Sequence, residues 1–107
     1  MIEKIYPYST EDAKKIEKLI DDDPVNINHI VLPKGEKVPD HRANSYVHMI
    51  VVRGTLTLVL GEQEAHHYSR GNVVHIPFDT PMKVSNQNDE VCEFFVVKTP
   101  SPRLYGK

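Results

Sequence analysis

From Val25 onward the apolar positions fall in short runs of β-branched and aromatic residues, cut at close intervals by glycine and proline. The runs span residues 25–32, 44–53, 55–60, 63–68, 72–76, 82–86 and 90–98. Such runs read as strands, because branched and aromatic side chains pack well on a pleated surface. Between them lie Pro33-Lys34-Gly35, Pro39-Asp40, Gly54, Gly61, Arg70-Gly71 and the stretch from Pro77 to Pro81. Residues 9–20 differ. Ala13, Ile16, Leu19 and Ile20 recur at helical spacing. Ser9 or Thr10 supplies an N-cap, Glu11 and Asp12 suit the positive end of a helix dipole, and Asp21 to Pro24 ends the pattern. The pattern therefore predicts an all-β sandwich or small barrel preceded by a short helix. Its expected divisions are an arm and helix over 1–24, a barrel over 25–99 and a tail over 100–107, either a loose end or a dimer arm.

Composition narrows the class. At 107 residues, the chain is long enough for one core. Thirteen basic against fifteen acidic residues leave a formal charge of −2, with no basic run to attract nucleic acid. No apolar stretch reaches the roughly 20 residues of a membrane helix, and the first residues lack the apolar centre of a signal peptide. A single cysteine, Cys92, fits a reducing compartment and lies in a strand run, as a core thiol would. The expectation is a cytoplasmic protein that binds neither nucleic acid nor membrane.

The glycine and proline spacing over 35–86 resembles that of the cupin superfamily. Gly35 through His41 fits the opening of the first cupin motif, and Gly54 its closing glycine; Gly71, Pro77 and Asn86 fit the second. The resemblance implies a double-stranded β-helix, or jelly roll, of the small single-domain (cupin-2-like, RmlC-like) kind. It also implies a divalent metal held by two histidines, a glutamate and a third histidine. Carried over residue by residue, only His41 is retained. Ala43 stands at the second histidine, Val47 at the glutamate and Met82 at the last histidine, while Asp79 replaces a motif glycine. One imidazole does not make a metal site, and a thioether suits Cu(I) rather than borderline ions. The motif thus reads as degenerate, with no resident cofactor; a divalent Zn, Fe, Mn or Ni ion is the alternative.

Other histidines bear on that alternative. His48 follows the Val47 slot and should face the other way, because strand side chains alternate. His75 should also point outward, and the two strands should be neighbours. The pair is open to three readings: a zinc site at a dimer interface, a pH-sensitive contact, or two surface histidines. A bulge near Asn44-Ser45 would instead turn His48 inward. His66-His67 falls in or near a polar turn. Asp40 either orients His41 or completes a turn with Pro39.

If the cupin register holds, His41, Ala43, Ser45, Val47, Met49 and Val51 face the interior, joined by Met82 and by Phe94 or Val96. That lining suits a small, partly apolar ligand. Tyr46, His48, Ile50 and Val52 would face outward, and so apolar a strip should meet the N-terminal helix or a second subunit, making a homodimer. Two functions follow: a non-catalytic small-molecule-binding or sensing domain, or a metal-dependent enzyme of dioxygenase or isomerase type with rearranged histidines. A purely structural module is a third, weaker option.

Overall fold

A computed structural model describes residues 1–104. Nine strands are present among them: β1 (Lys15–Asp21), β2 (Asn26–Leu32), β3 (Lys37–Arg42), β4 (Tyr46–Arg53), β5 (Thr55–Leu60), β6 (His66–Ser69), β7 (Val73–Ile76), β8 (Pro81–Ser85) and β9 (Cys92–Thr99). A 3-10 turn follows at Pro102–Leu104. All pairings are antiparallel and form two sheets, ordered β1-β2-β9-β4-β7 and β3-β8-β5-β6. The sequential neighbours β4 and β5 lie in different sheets, so the chain crosses between layers as a double-stranded β-helix does.

The core lies between the layers. Ile30, Leu32, Val47, Met49, Val51, Phe94 and Val96 come from the five-stranded sheet, and Leu56, Leu58, Met82 and Val84 from the other. Alternation produces this: in β4, residues 47, 49 and 51 are buried, whereas 46, 50 and 52 are exposed. Gly54 makes the β4–β5 crossover with φ at 73°. A Cβ there would sit 2.3 Å from the Val91 carbonyl oxygen, so both the conformation and the close backbone approach require glycine.

Two features correct the sequence reading. The helix expected over 9–20 does not form; residues 15–21 are strand β1, paired with β2 through Ile16–Ile30 and Glu17–His29. The capping chemistry is nevertheless present, since the Ser9 hydroxyl accepts the Glu11 N–H at 3.2 Å. It closes a local turn and starts no helix. Pairing with β2 satisfies a run of backbone groups at once and outweighs a weak helical preference. The second correction is β3. Pro39 and Asp40 were read as a break, but both lie within a strand at the edge of its sheet, where a register shift between Val38 and His41 accommodates the proline.

The expected tail is partly tied down. Ser101 is buried and its N–H donates to the Asp23 carbonyl at 3.0 Å. Arg103 Nε donates to Asp23 Oδ1 at 2.8 Å. Residues 105–107 of that tail lie outside the described residues. No helix among the described residues is long and apolar enough to cross a membrane.

Candidate functional site: a cavity between the sheets

A cavity of about 170 Å³ opens between the layers. Its floor is Val47, Met49, Met82, Val84, Phe94 and Val96, and its rim includes the exposed residues Ile16, His41 and Asn44. Of the residues expected to face the interior, His41, Ala43, Val47, Met49, Met82 and Phe94 line this space together. Ser45 does not. It is fully buried, but its hydroxyl donates to the Pro100 carbonyl, away from the cavity.

The departure at Ser45 has a local cause. Between β3 and β4 the chain leaves the ladder at residues 43–45. Ala43 bonds instead to the loop after β7: its N–H donates to the Thr80 carbonyl at 2.8 Å, and its carbonyl accepts from Asp79 N–H at 2.7 Å. Both Ala43 and Asn44 line the cavity as a result. Alternation resumes in phase at Val47, which is 1% exposed, so no parity reversal turns His48 inward. Asp79, at the motif's glycine position, adopts φ of 68°.

His41 donates from Nδ1 to the Pro39 carbonyl at 2.9 Å, so a backbone oxygen, and not Asp40, orients the ring. The positions that would complete a metal shell are Ala43, Val47 and Met82, and their side chains offer one thioether and no nitrogen or oxygen donor. The donor set does not fit a divalent metal. Among the described residues no three His, Cys, Asp or Glu side chains are grouped to hold an ion. His48 and His75 pair across β4 and β7 on the opposite face of the sheet, with ring centroids 4.6 Å apart. His75 Nδ1 donates to the Val47 carbonyl at 3.2 Å. These two rings and His41 therefore lie on different sides of one sheet and do not converge.

Among the lining residues that went unread in the sequence are Ile16, Asn28 and Lys98. Ile16 was assigned to a helix. Lys98 was within reach, because it continues the inward alternation of Phe94 and Val96 by one step. Burial, and then the neighbouring Lys18 ammonium, push Lys98 below the ordinary lysine range. The Asn28 side-chain oxygen is buried without a hydrogen-bond partner among the described residues. Cys92 is buried among core residues, and burial pushes its thiol up to about 12, which removes it as a nucleophile at neutral pH.

A family model described as Cupin domain matches residues 28–98. The chain belongs to the cupin family. It is 49% identical over 104 residues to the uncharacterised protein MJ0764 of Methanocaldococcus jannaschii, covering 96% of this chain and 90% of that one. The crystal structure of an RmlC-like cupin family protein with a double-stranded β-helix fold, mj0764 from the same organism, superposes with a TM-score of 0.96 at 47% identity. That superposition covers 100% of this chain and 99% of the other. A Cupin 2 conserved barrel domain protein from Salinispora arenicola has a TM-score of 0.77 at 18% identity, over 99% and 98% of the two chains, a likeness of fold alone.

The outer face of the five-stranded sheet carries a second cluster that sequence reasoning missed. His29, with none of its side chain exposed, lies between two carboxylates. Its Nδ1 lies 2.7 Å from Glu17 Oε1 and its Nε2 lies 2.6 Å from Glu93 Oε2. Two acceptors flank one ring, an arrangement complementary to imidazolium, which donates from both nitrogens. Tyr8 of the N-terminal arm covers the ring at 4.7 Å, and Phe95 lies beside it at 4.9 Å. The Ser9 N–H donates to Glu17 at 2.8 Å, and Arg53 bridges Glu93 to Asp12. The Ser9 and His29 hydrogen bonds hold the Glu17 carboxyl below the usual range. Glu17, His29 and Glu93 are far apart in sequence, and no spacing announces their meeting.

Proposed function

We propose that this cupin is a non-catalytic, small-molecule-binding or sensing domain that works without a resident metal. One observation carries the reading. An apolar cavity is open where the family's metal site would stand, and Ala43, Val47 and Met82 line it in place of ligands. His41 and Lys98 are the only ionisable side chains among the described lining residues, and neither is hydrogen-bonded to a nucleophile or to a second acid–base group among the described residues, so general acid–base or covalent catalysis has no assembled partner there. A cavity of this size and polarity suits recognition by shape with a few polar contacts.

The working unit we infer is a cytoplasmic homodimer. Tyr46, Ile50, Val52 and Val73 leave an apolar strip on the outer face, with exposures of 52%, 36%, 38% and 63%. The N-terminal arm covers His29 and Phe95 beside that strip, and a second copy would cover the rest.

Elemental analysis of the purified protein tests the metal-free reading. Sub-stoichiometric metal, with no thermal shift on adding Zn, Fe(II), Mn or Ni ions, is the expected result. Near-stoichiometric metal that disappears in H41A would overturn it in favour of a metal-dependent enzyme.

A further inference from the structure

We propose that the ligand of the cavity is a small carboxylic acid, bound as its anion: Lys98 takes the carboxylate, Asn28 takes a hydrogen-bond donor on the adjacent carbon, and a branched or cyclic apolar body fills the floor. This specifies the ligand class of the small-molecule-binding reading above and rests on it.

Lys98 motivates the anion. It comes from the last turn of alternation in β9 and lines the cavity beside Val47, its partner across the ladder. No carboxylate lies within ion-pair distance of its ammonium among the described residues, and no Asp or Glu lines the cavity. Another cation bears on it: Lys18, which stands opposite Asn28 in the β1–β2 ladder and is itself loosely paired to Asp21 at 3.9 Å. A partly desolvated ammonium next to a like charge is under-compensated, and an incoming carboxylate restores the balance. A cationic or neutral ligand does not.

Asn28 specifies the second contact. Its side-chain oxygen is a buried acceptor with no donor among the described residues, and such a group costs free energy until it is bonded. Asn28 faces Val96, and Lys98 faces Asn26, so Asn28 and Lys98 are diagonal neighbours on the inner face. That relation sets their Cα atoms roughly 7–8 Å apart. A ligand spans it if its carboxylate and its hydroxyl or amine lie on neighbouring carbons. The size of the body follows from volume. A dry cavity of about 150 Å³ accepts benzene, so the about 170 Å³ here accepts a branched alkyl chain or a ring of similar bulk. Met49 and Met82 in the lining adapt to either.

The test uses protein labelled with carbon-13 at the methionine methyl groups. Met49 and Met82 report on the cavity, and the 95% exposed Met1 is an internal control. The probes are 2-hydroxy-4-methylpentanoate, its uncharged amide and 4-methylpentan-1-ol, titrated into wild type, K98M and N28L. Expected is a saturable shift of the Met49 and Met82 signals, with the acid binding about tenfold or more tighter than the amide, as an ionised hydrogen-bond partner implies. K98M should erase that preference while still taking the alcohol, which also shows that the variant is folded. N28L should weaken the hydroxy acid and leave the alcohol unaffected. Equal binding of acid and amide to wild type would overturn the carboxylate proposal and leave the cavity reading standing. No response to any of the three probes would overturn both.

Discussion

The two faces of the five-stranded sheet are built from the same strands and differ in kind. On the inner face, Phe94, Val96, Val47 and Met49 lie against the second sheet and leave one apolar cavity. On the outer face, one residue out of step, Glu93, Phe95, His29 and His48 surround charge, rings and a partly covered apolar strip. The inner face is held by dispersion and exclusion of water, which act without direction. The outer face is held by hydrogen bonds to charged groups that need named partners. A change of volume should therefore damage the first face, and a change of charge the second.

The largest expected effect is on the inner face. Phe94→Ala removes a fully buried ring and should lower unfolding free energy by about 3–5 kcal/mol in urea denaturation. A loss under 1 kcal/mol would mean that the cavity simply collapses. His29→Ala should lose roughly 2–3 kcal/mol, less than a fully buried ion pair because Glu17 is 31% exposed. The triple change E17Q/H29L/E93Q should recover most of that loss, since no carboxylate is left facing an unpaired site.

Acid sharpens the same contrast. The Glu17 carboxyl is held below its usual range by the Ser9 N–H and His29, so its folded value lies beneath its unfolded one. Its stabilisation is complete above the ordinary carboxylate range and is lost as pH falls through the lowered folded value. Thermal scans from neutral pH into acid should show a shallower fall in Tm for E17Q than for wild type; parallel curves would disprove the role of that carboxylate. A smaller gain is expected from Asp79→Gly. Relief of the left-handed backbone should raise stability by about 0.5–1 kcal/mol, offset in part by the loosened Arg42 contact. The least effect on the folded protomer belongs to Ile50→Lys, within roughly 0.5 kcal/mol. The same variant should convert the proposed dimer to monomer in sedimentation, and wild type and variant sedimenting alike would overturn an interface on this strip.

Much of the barrel was legible because strand alternation is local. The runs at 55–60 and 82–86 needed only the spacing of apolar residues, glycine and proline to read. The strand β3 was lost because Pro39 is a valid stop signal in a central strand and a tolerated one at an edge, and edge position is not a local property. Residues 15–21 were misread because Ser9 and the acidic residues after it carry genuine helix-start chemistry. The decision went to the hydrogen bonds offered by β2, a partner invisible at that point of the chain. Within the cavity, alternation counted from the cupin register located Val47 and Met49, and the same register placed Met82 and Phe94. It failed at Ser45, where backbone bonds between Ala43 and the 79–80 loop replace the ladder.

By itself, the sequence determined the family, the two-layer β architecture and the absence of ligand side chains at Ala43, Val47 and Met82. The architecture follows from residue type and short spacing, which the chain carries wherever it folds, and the family and the missing ligands follow from the resemblance of that spacing to the cupin motifs. Only the tertiary structure decided that β1 completes the sheet, that Asn28 and Lys98 share one cavity, and that His29 lies between Glu17 and Glu93. These are meetings of residues distant along the chain, governed by pairing register and by which face each side chain takes, and no local pattern encodes them.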